Sequence, residues 1–135
     1  GIAAAFILGA SAVQVGTRFL ASEECQIHEN YKNAVIKAKD IDTVVTGRCT
    51  GHPVQVLKNK LAKEYLKLED NHVSIKELDE LGKGALRKAV IEGDTDNGSL
   101  MAGQISGMVS KIQSVNEIIK EMFNEYEDIK VSFNS

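Results

Sequence analysis

Apolar and polar positions alternate with two different periods along this chain, and the first turn of the chain is already apolar. Ile2 to Leu8 reads as a short buried helix, with Gly9 as its stop. Ala12-Val13-Gln14-Val15 follows as a strand that ends at Gly16. From about Ser22 to Ala38 the residues Cys25, His28, Tyr31, Val35 and Ala38 recur at helical spacing and predict one helix. Ile41 to Thr46 is the one other plausible strand. Pro53 suits the first turn of a second helix, with Val54, Leu57, Leu61, Tyr65 and Leu68 along one side. Ser74 with Glu77 forms a capping box for a third helix. Gly82 and Gly84 break it, and a fourth helix runs to about Glu92. After the loop Gly93 to Ser99, the positions Met101, Ile105, Met108, Val109 and Ile112 predict another helix. Ser114 with Glu117 caps a last one, whose apolar face is Ile118, Met122 and Tyr126; the polar tail from Asp128 is expected to fray.

Strand Ala12–Val15 sets the organisation. A helix, a glycine turn and a strand make half of a parallel βαβ unit, and a parallel strand needs neighbours on both sides. The chain offers too few, so the remaining strands are expected upstream. Gly1-Ile2 opens without a Met and directly in a helical run, which reads as a segment of a longer polypeptide.

The bulk numbers exclude more than they assign. At 135 residues the chain fits one ordinary domain, and its net charge of -3 with interleaved acids and bases gives no nucleic-acid or lipid-headgroup footprint. The apolar run Ile2 to Ala10 is far short of the roughly 20 residues a membrane span needs. Cys25 and Cys49 lie in no metal pattern and read as reduced thiols of a cytoplasmic protein.

Three sets of residues merit a chemical reading. Gln14-Val15-Gly16-Thr17-Arg18 lies where a parallel strand gives way to a loop, the end at which barrels and doubly wound sheets bind ligands. A glycine there lets backbone N–H groups approach an anion, and the Thr17 hydroxyl adds a donor; a plain turn carries the same pair. Asp94 to Ser99 has the look of a calcium loop, but its glycine falls one position early and Ile105 stands where a Glu is required. It therefore reads as a turn with Asx hydrogen bonds. His28, His52 and His72 lack metal spacing; His28 reads as packing, His52 as exposed in a turn and open to a ligand, and His72 as a loop residue. No catalytic triad, dinucleotide glycine motif or phosphate-binding P-loop is present.

Taken in order, the segments resemble one family. Leu8-Gly9-Ala10-Ser11-Ala12-Val13-Gln14-Val15-Gly16-Thr17-Arg18-Phe19 is similar to the eighth strand and phosphate loop of the type II, FMN-dependent enoyl-acyl-carrier-protein reductases, within the wider nitronate monooxygenase family. Glu24-Cys25, His28 and Asn30-Tyr31-Lys32 resemble the helix that follows. Asp42-Thr43, Thr50-Gly51-His52-Pro53-Val54 and Lys58-Asn59 resemble the smaller second domain. The most specific match is Gly93-Asp94, Asp96, Gly98-Ser99 and Met101-Ala102-Gly103-Gln104.

The resemblance implies an α/β fold: the last helix–strand unit of a (β/α)8 barrel over residues 1–24, a mostly helical substrate-side domain over 25–99, and C-terminal helices over 100–135 that return to the barrel. It implies FMN, with NADH or NADPH as hydride donor, and a trans-2-enoyl thioester on acyl carrier protein as substrate. Gly16 and Thr17, with Gln14 nearby, would hold the FMN phosphate. His52 and Met101, Ala102, Gly103 and Gln104 would line the smaller domain's side of the cleft. The family's catalytic histidine lies upstream and is carried over to no histidine here, so this chain alone is expected to be inactive. Expected partners are the upstream barrel half and acyl carrier protein, in a homodimer. The alternatives are nitronate oxidation on the same fold and a non-catalytic helical interaction module.

Overall fold

The computed structural model describes residues 1–134. Its helices are α1 (Ile2–Ile7), α2 (Thr17–Leu20), α3 (Glu29–Lys37), α4 (Lys60–Asp70), α5 (Ile75–Gly82), α6 (Ala85–Arg87, continued by a π turn, Lys88–Glu92) and α7 (Val115–Asn134). Short 3₁₀ turns cover Asp40–Asp42, Arg48–Thr50 and Gln104–Met108. Strands β1 (Thr43–Thr46) and β2 (Val54–Leu57) pair antiparallel, with Thr43 opposite Leu57 and Thr46 opposite Val54.

Several expectations fail here for identifiable reasons. Ala12–Val15 is not a strand among the described residues: it has no regular secondary structure, its N–H and C=O groups make no backbone hydrogen bond, and Val13 is 38% exposed. Among the described residues no strand pairs with it. Helix α1 buries only Ala3, while Ile7 and Leu8 are exposed. The stretch after Pro53 is a strand, not a helix. Gly47 and Gly51, both left-handed, reverse the chain so that Val54 to Leu57 pairs with β1, and the β-branched Val54 and Val56 suit it. The helix begins only at Lys60, where the Asn59 side chain accepts the Ala62 N–H at 2.9 Å.

Helix α3 likewise starts seven residues later than the 22–38 reading, because residues 22–28 are committed elsewhere. Ser22 bridges in parallel to Gln113, and the His28 N–H donates to the Val90 carbonyl at 2.8 Å. His28 then caps α3, its Nδ1 accepting from the Asn30 N–H. The predicted helix over 101–112 is reduced to the 3₁₀ turn at 104–108, since Met101 is drawn into an antiparallel bridge with Val56. At the other end α7 does not fray at Asp128; it continues to Asn134 with Ile129, Val131 and Phe133 exposed.

Both capping boxes form as read, Ser74 with Glu77 and Ser114 with Glu117. The core joins Ala21, Tyr31, Val35, Leu57, Ala89, Leu100, Ala102 and Val109. It therefore draws on the segment after α2, α3, the hairpin, the π turn and the 100–109 segment, which are far apart in sequence. Helix α7 returns to the beginning of the chain: Ile118 is fully buried, and Tyr126 meets Phe6 edge-on at 5.4 Å.

Candidate functional site

Gly16 opens α2 and is exposed; a Cβ added to it would meet nothing within 4 Å. The next residue is anchored. The Thr17 hydroxyl oxygen accepts the Gly103 N–H at 2.9 Å, joining two motifs 86 residues apart. An accepted hydrogen bond leaves the hydroxyl proton of Thr17 available for donation. Gln14 lies two residues before Gly16, exposed and without regular secondary structure.

The 100–103 segment is fixed by the hairpin and by α3. The Leu57 N–H donates to the Leu100 carbonyl at 2.9 Å and the Ala102 N–H to the Gln55 carbonyl at 3.2 Å. From α3, the Tyr31 hydroxyl donates to the Met101 carbonyl at 2.6 Å. Tyr31 is 2% exposed, and burial pushes its phenol up to about 12, so it stays a neutral donor through the whole working range. Met101 and Gln104 are exposed, Gly103 is half-buried, and the Ala102 side chain is in the core.

The structure thus brings Thr17 and Gly103 together and leaves His52 apart. His52 is exposed in the turn before β2, whereas Met101 pairs with Val56 inside that strand. His52 lines instead a mostly apolar cavity of about 120 Å³ with Val54, Tyr65, Ala85 and Leu100.

The loop Gly93–Ser99 is a structural hub. Asp94 Oδ1 accepts from the N–H groups of Asp96 and Asn97, at 3.1 and 2.9 Å, and the bonds from Asn97 hold its carboxyl below the usual range. The Asn59 side-chain amide donates to the carbonyls of Thr95 and Gly98, and the Leu61 N–H to that of Asp96. Its glycines answer to contact: a Cβ on Gly93 would lie 2.2 Å from His28 Nδ1, and one on Gly98 would lie 2.3 Å from the Asp94 carbonyl oxygen. The sequence pattern missed Asn59 as the tie between this loop and α4; an Asn directly before the Lys60 run was the available signal. It also missed Lys32, which is 8% exposed with Nζ donating to the Ser22 carbonyl at 2.6 Å.

A solved structure of FabK from Thermotoga maritima superposes with a TM-score of 0.93 at 41% identity, covering 98% of this chain and 42% of that one. Nitroalkane oxidase from Streptomyces ansochromogenes superposes at 0.75 with 25% identity, over 98% and 37%. A probable nitronate monooxygenase of Bacillus subtilis is 30% identical over 97% of this chain and 37% of its own length. One from Staphylococcus saprophyticus is 28% identical over 90% and 35%. The chain therefore spans about two-fifths or less of the proteins it matches. The family model for nitronate monooxygenase matches residues 1–125, and the chain belongs to that family.

Proposed function

We propose that this chain is the C-terminal part of an FMN-dependent enoyl-acyl-carrier-protein reductase. In this reading the intact cytoplasmic enzyme reduces trans-2-enoyl thioesters with NADH or NADPH in fatty-acid synthesis. The observation that carries the proposal is the Thr17–Gly103 hydrogen bond, which ties the phosphate-loop motif to the Met101–Gln104 motif. The closer likeness to FabK than to nitroalkane oxidase, in both identity and TM-score, supports the reductase. The second reading, nitronate oxidation, is favoured by the names of the Bacillus and Staphylococcus relatives.

The residues present fit a flavin phosphate. A Cβ at Gly16 would meet nothing within 4 Å, and the Thr17 hydroxyl, whose oxygen accepts from the Gly103 N–H, keeps its proton for donation. Bound FMN would relay a hydride from the nicotinamide to the enoyl β-carbon. Gly16 and Thr17 would hold its phosphate, with Gln14 nearby, while exposed Met101 and Gln104 would face the cleft. The proton for the α-carbon would come from a residue outside this chain. The exposed Ile7, Leu8, Val13 and Met108 suit a covering by the upstream barrel half. Acyl carrier protein and a second subunit are the further proposed partners.

The test is to mix this chain with the upstream half and FMN. Flavin fluorescence, NAD(P)H consumption with crotonyl thioester, and oxygen uptake with a nitronate are then followed. Flavin binding by the pair and thioester reduction support the reductase; nitronate-dependent oxygen uptake alone selects the second reading. Turnover by this chain alone, at a rate near that of the pair, overturns the proposal.

A further inference from the structure

The residue after Thr17 is tied to a different element. Arg18 Nη2 donates to Glu121 Oε2 at 3.0 Å and also to Gln113 Oε1, so one nitrogen engages both α7 and the strand-like segment before it. The Arg18 side chain is 16% exposed, and its Nη1 is buried without a hydrogen-bond partner among the described residues. A guanidinium so placed is expensive to bury and depends on its few acceptors. Gln113 is itself fixed by backbone: the Glu23 N–H donates to its carbonyl at 2.9 Å, and its own N–H donates to the Ala21 carbonyl at 3.3 Å. Glu24 closes the set by accepting the Val115 N–H at 2.9 Å. Lys111 gives Glu121 a second cation at 3.7 Å.

We infer that Arg18 is a positioning residue for the phosphate loop, acting through Glu121 and Gln113. Adjacent side chains are held from two sides, Thr17 by Gly103 and Arg18 by α7. With both held, the backbone at Gly16–Thr17 has one orientation and the Thr17 hydroxyl proton points away from Gly103. Release of Arg18 leaves the start of α2 held by the Thr17 bond alone until the backbone pairing of Ala21 and Glu23 with Gln113, so the donor set at Gly16 and Thr17 loses its common aim. This inference rests on the proposed flavin-phosphate role of Gly16 and Thr17.

The experiment uses the intact flavoprotein that carries this segment, stripped of flavin and retitrated with FMN. Arg18→Met, Glu121→Gln, their double variant, Arg18→Lys and Thr17→Val are compared, with Glu127→Gln as a control at an exposed α7 pair. The clamp predicts a rise of roughly tenfold in the FMN dissociation constant for Arg18→Met and for Glu121→Gln. The double variant is expected to be no weaker than the worse single one, Arg18→Lys to recover part of the loss, and Glu127→Gln to change nothing. Melting of the flavin-free proteins separates this from general destabilisation; if Arg18→Met fails to fold, the half-exposed Glu121→Gln carries the test. Weakened binding in Thr17→Val with unchanged binding in Arg18→Met and Glu121→Gln overturns the clamp alone. Unchanged binding in all three removes the phosphate site and the clamp with it.

Discussion

Residues 93–104 and residues 8–16 are both short, glycine-bearing stretches without regular secondary structure, and their surroundings differ completely. The first is gripped from three directions, by Asn59, by Tyr31 and by the edge of the hairpin. The second makes no backbone hydrogen bond over Ser11–Val15 among the described residues and exposes Leu8 and Val13. Glycine serves close approach in one and leaves open space in the other. The lesson is that a motif can be structural where its glycines touch backbone, and free to meet a ligand where they touch nothing.

Paired glycine substitutions break this comparison most directly. Gly98→Val would place a Cβ against the Asp94 carbonyl and the Ala89 backbone, neither able to swing aside. It is expected to cost about 3 kcal/mol or more in chemical denaturation of the chain. Gly16→Ala is expected to stay within about 0.5 kcal/mol, because its φ is -113° and its Cβ meets nothing. Equal losses at both sites would erase the distinction.

The same contrast holds for apolar side chains. Leu57, 5% exposed in the core, is expected to lose about 2–5 kcal/mol on truncation to Ala, while Val13→Ala loses less than about 0.5. Half-buried Leu61 falls between them. A small loss at Leu57 would mean that the hairpin does not share the main core.

What could be read from sequence divides along the same line. Local chemistry was legible: both Ser–Glu capping boxes, the Asx turn at Asp94, and the inward face Ile118, Met122 and Tyr126 of α7. Pairing was not. Val54, Leu57, Leu61, Tyr65 and Leu68 keep helical spacing across a strand, a cap and a helix, so periodicity joined what Asn59 divides. Ala12–Val15 has a strand's composition and no neighbour to make it one. At the candidate site, Gly16, Thr17 and Gly103 were named from their motifs, but only the fold shows that Thr17 and Gly103 touch, or that Arg18 is held by Glu121.

A milder change sharpens the comparison at the grip on Met101. Tyr31→Phe removes the 2.6 Å bond and leaves a carbonyl unpaired, at an expected cost of about 1–3 kcal/mol. The phenol pKa is raised on folding, from 10.0 to about 12. Its contribution is therefore complete below about pH 10 and is lost as pH rises through the folded value. Denaturation between about pH 9 and pH 12 is expected to show a shallower alkaline loss in the Phe variant. Parallel curves would mean that Tyr31 ionises freely.

The smallest effect concerns the Asp94 turn, where charge and geometry can be separated. The Asp94 carboxylate is solvent-exposed, and its pKa is lowered from 3.8 by the Asn97 backbone and side-chain donors, with Asp96 adding a further bond. A lowered folded-state value means that the contribution is present above the unfolded pKa and is lost as pH falls through the folded one. Amide exchange at Asn97, followed from about pH 5 toward pH 2, is expected to show that protection failing only at the acid end. Asp94→Asn keeps one oxygen aimed at the same N–H groups but cannot ionise, so its protection is expected to be weaker and flat with pH. Asp94→Ala removes the acceptor and is expected to lose protection at every pH, while the Thr17–Gly103 bond survives because Tyr31 and the hairpin hold Met101 and Ala102 independently of the turn. An Asn variant that loses protection with acid like the parent would show that the dependence originates elsewhere in the loop, with Asp96 the next carboxylate to replace.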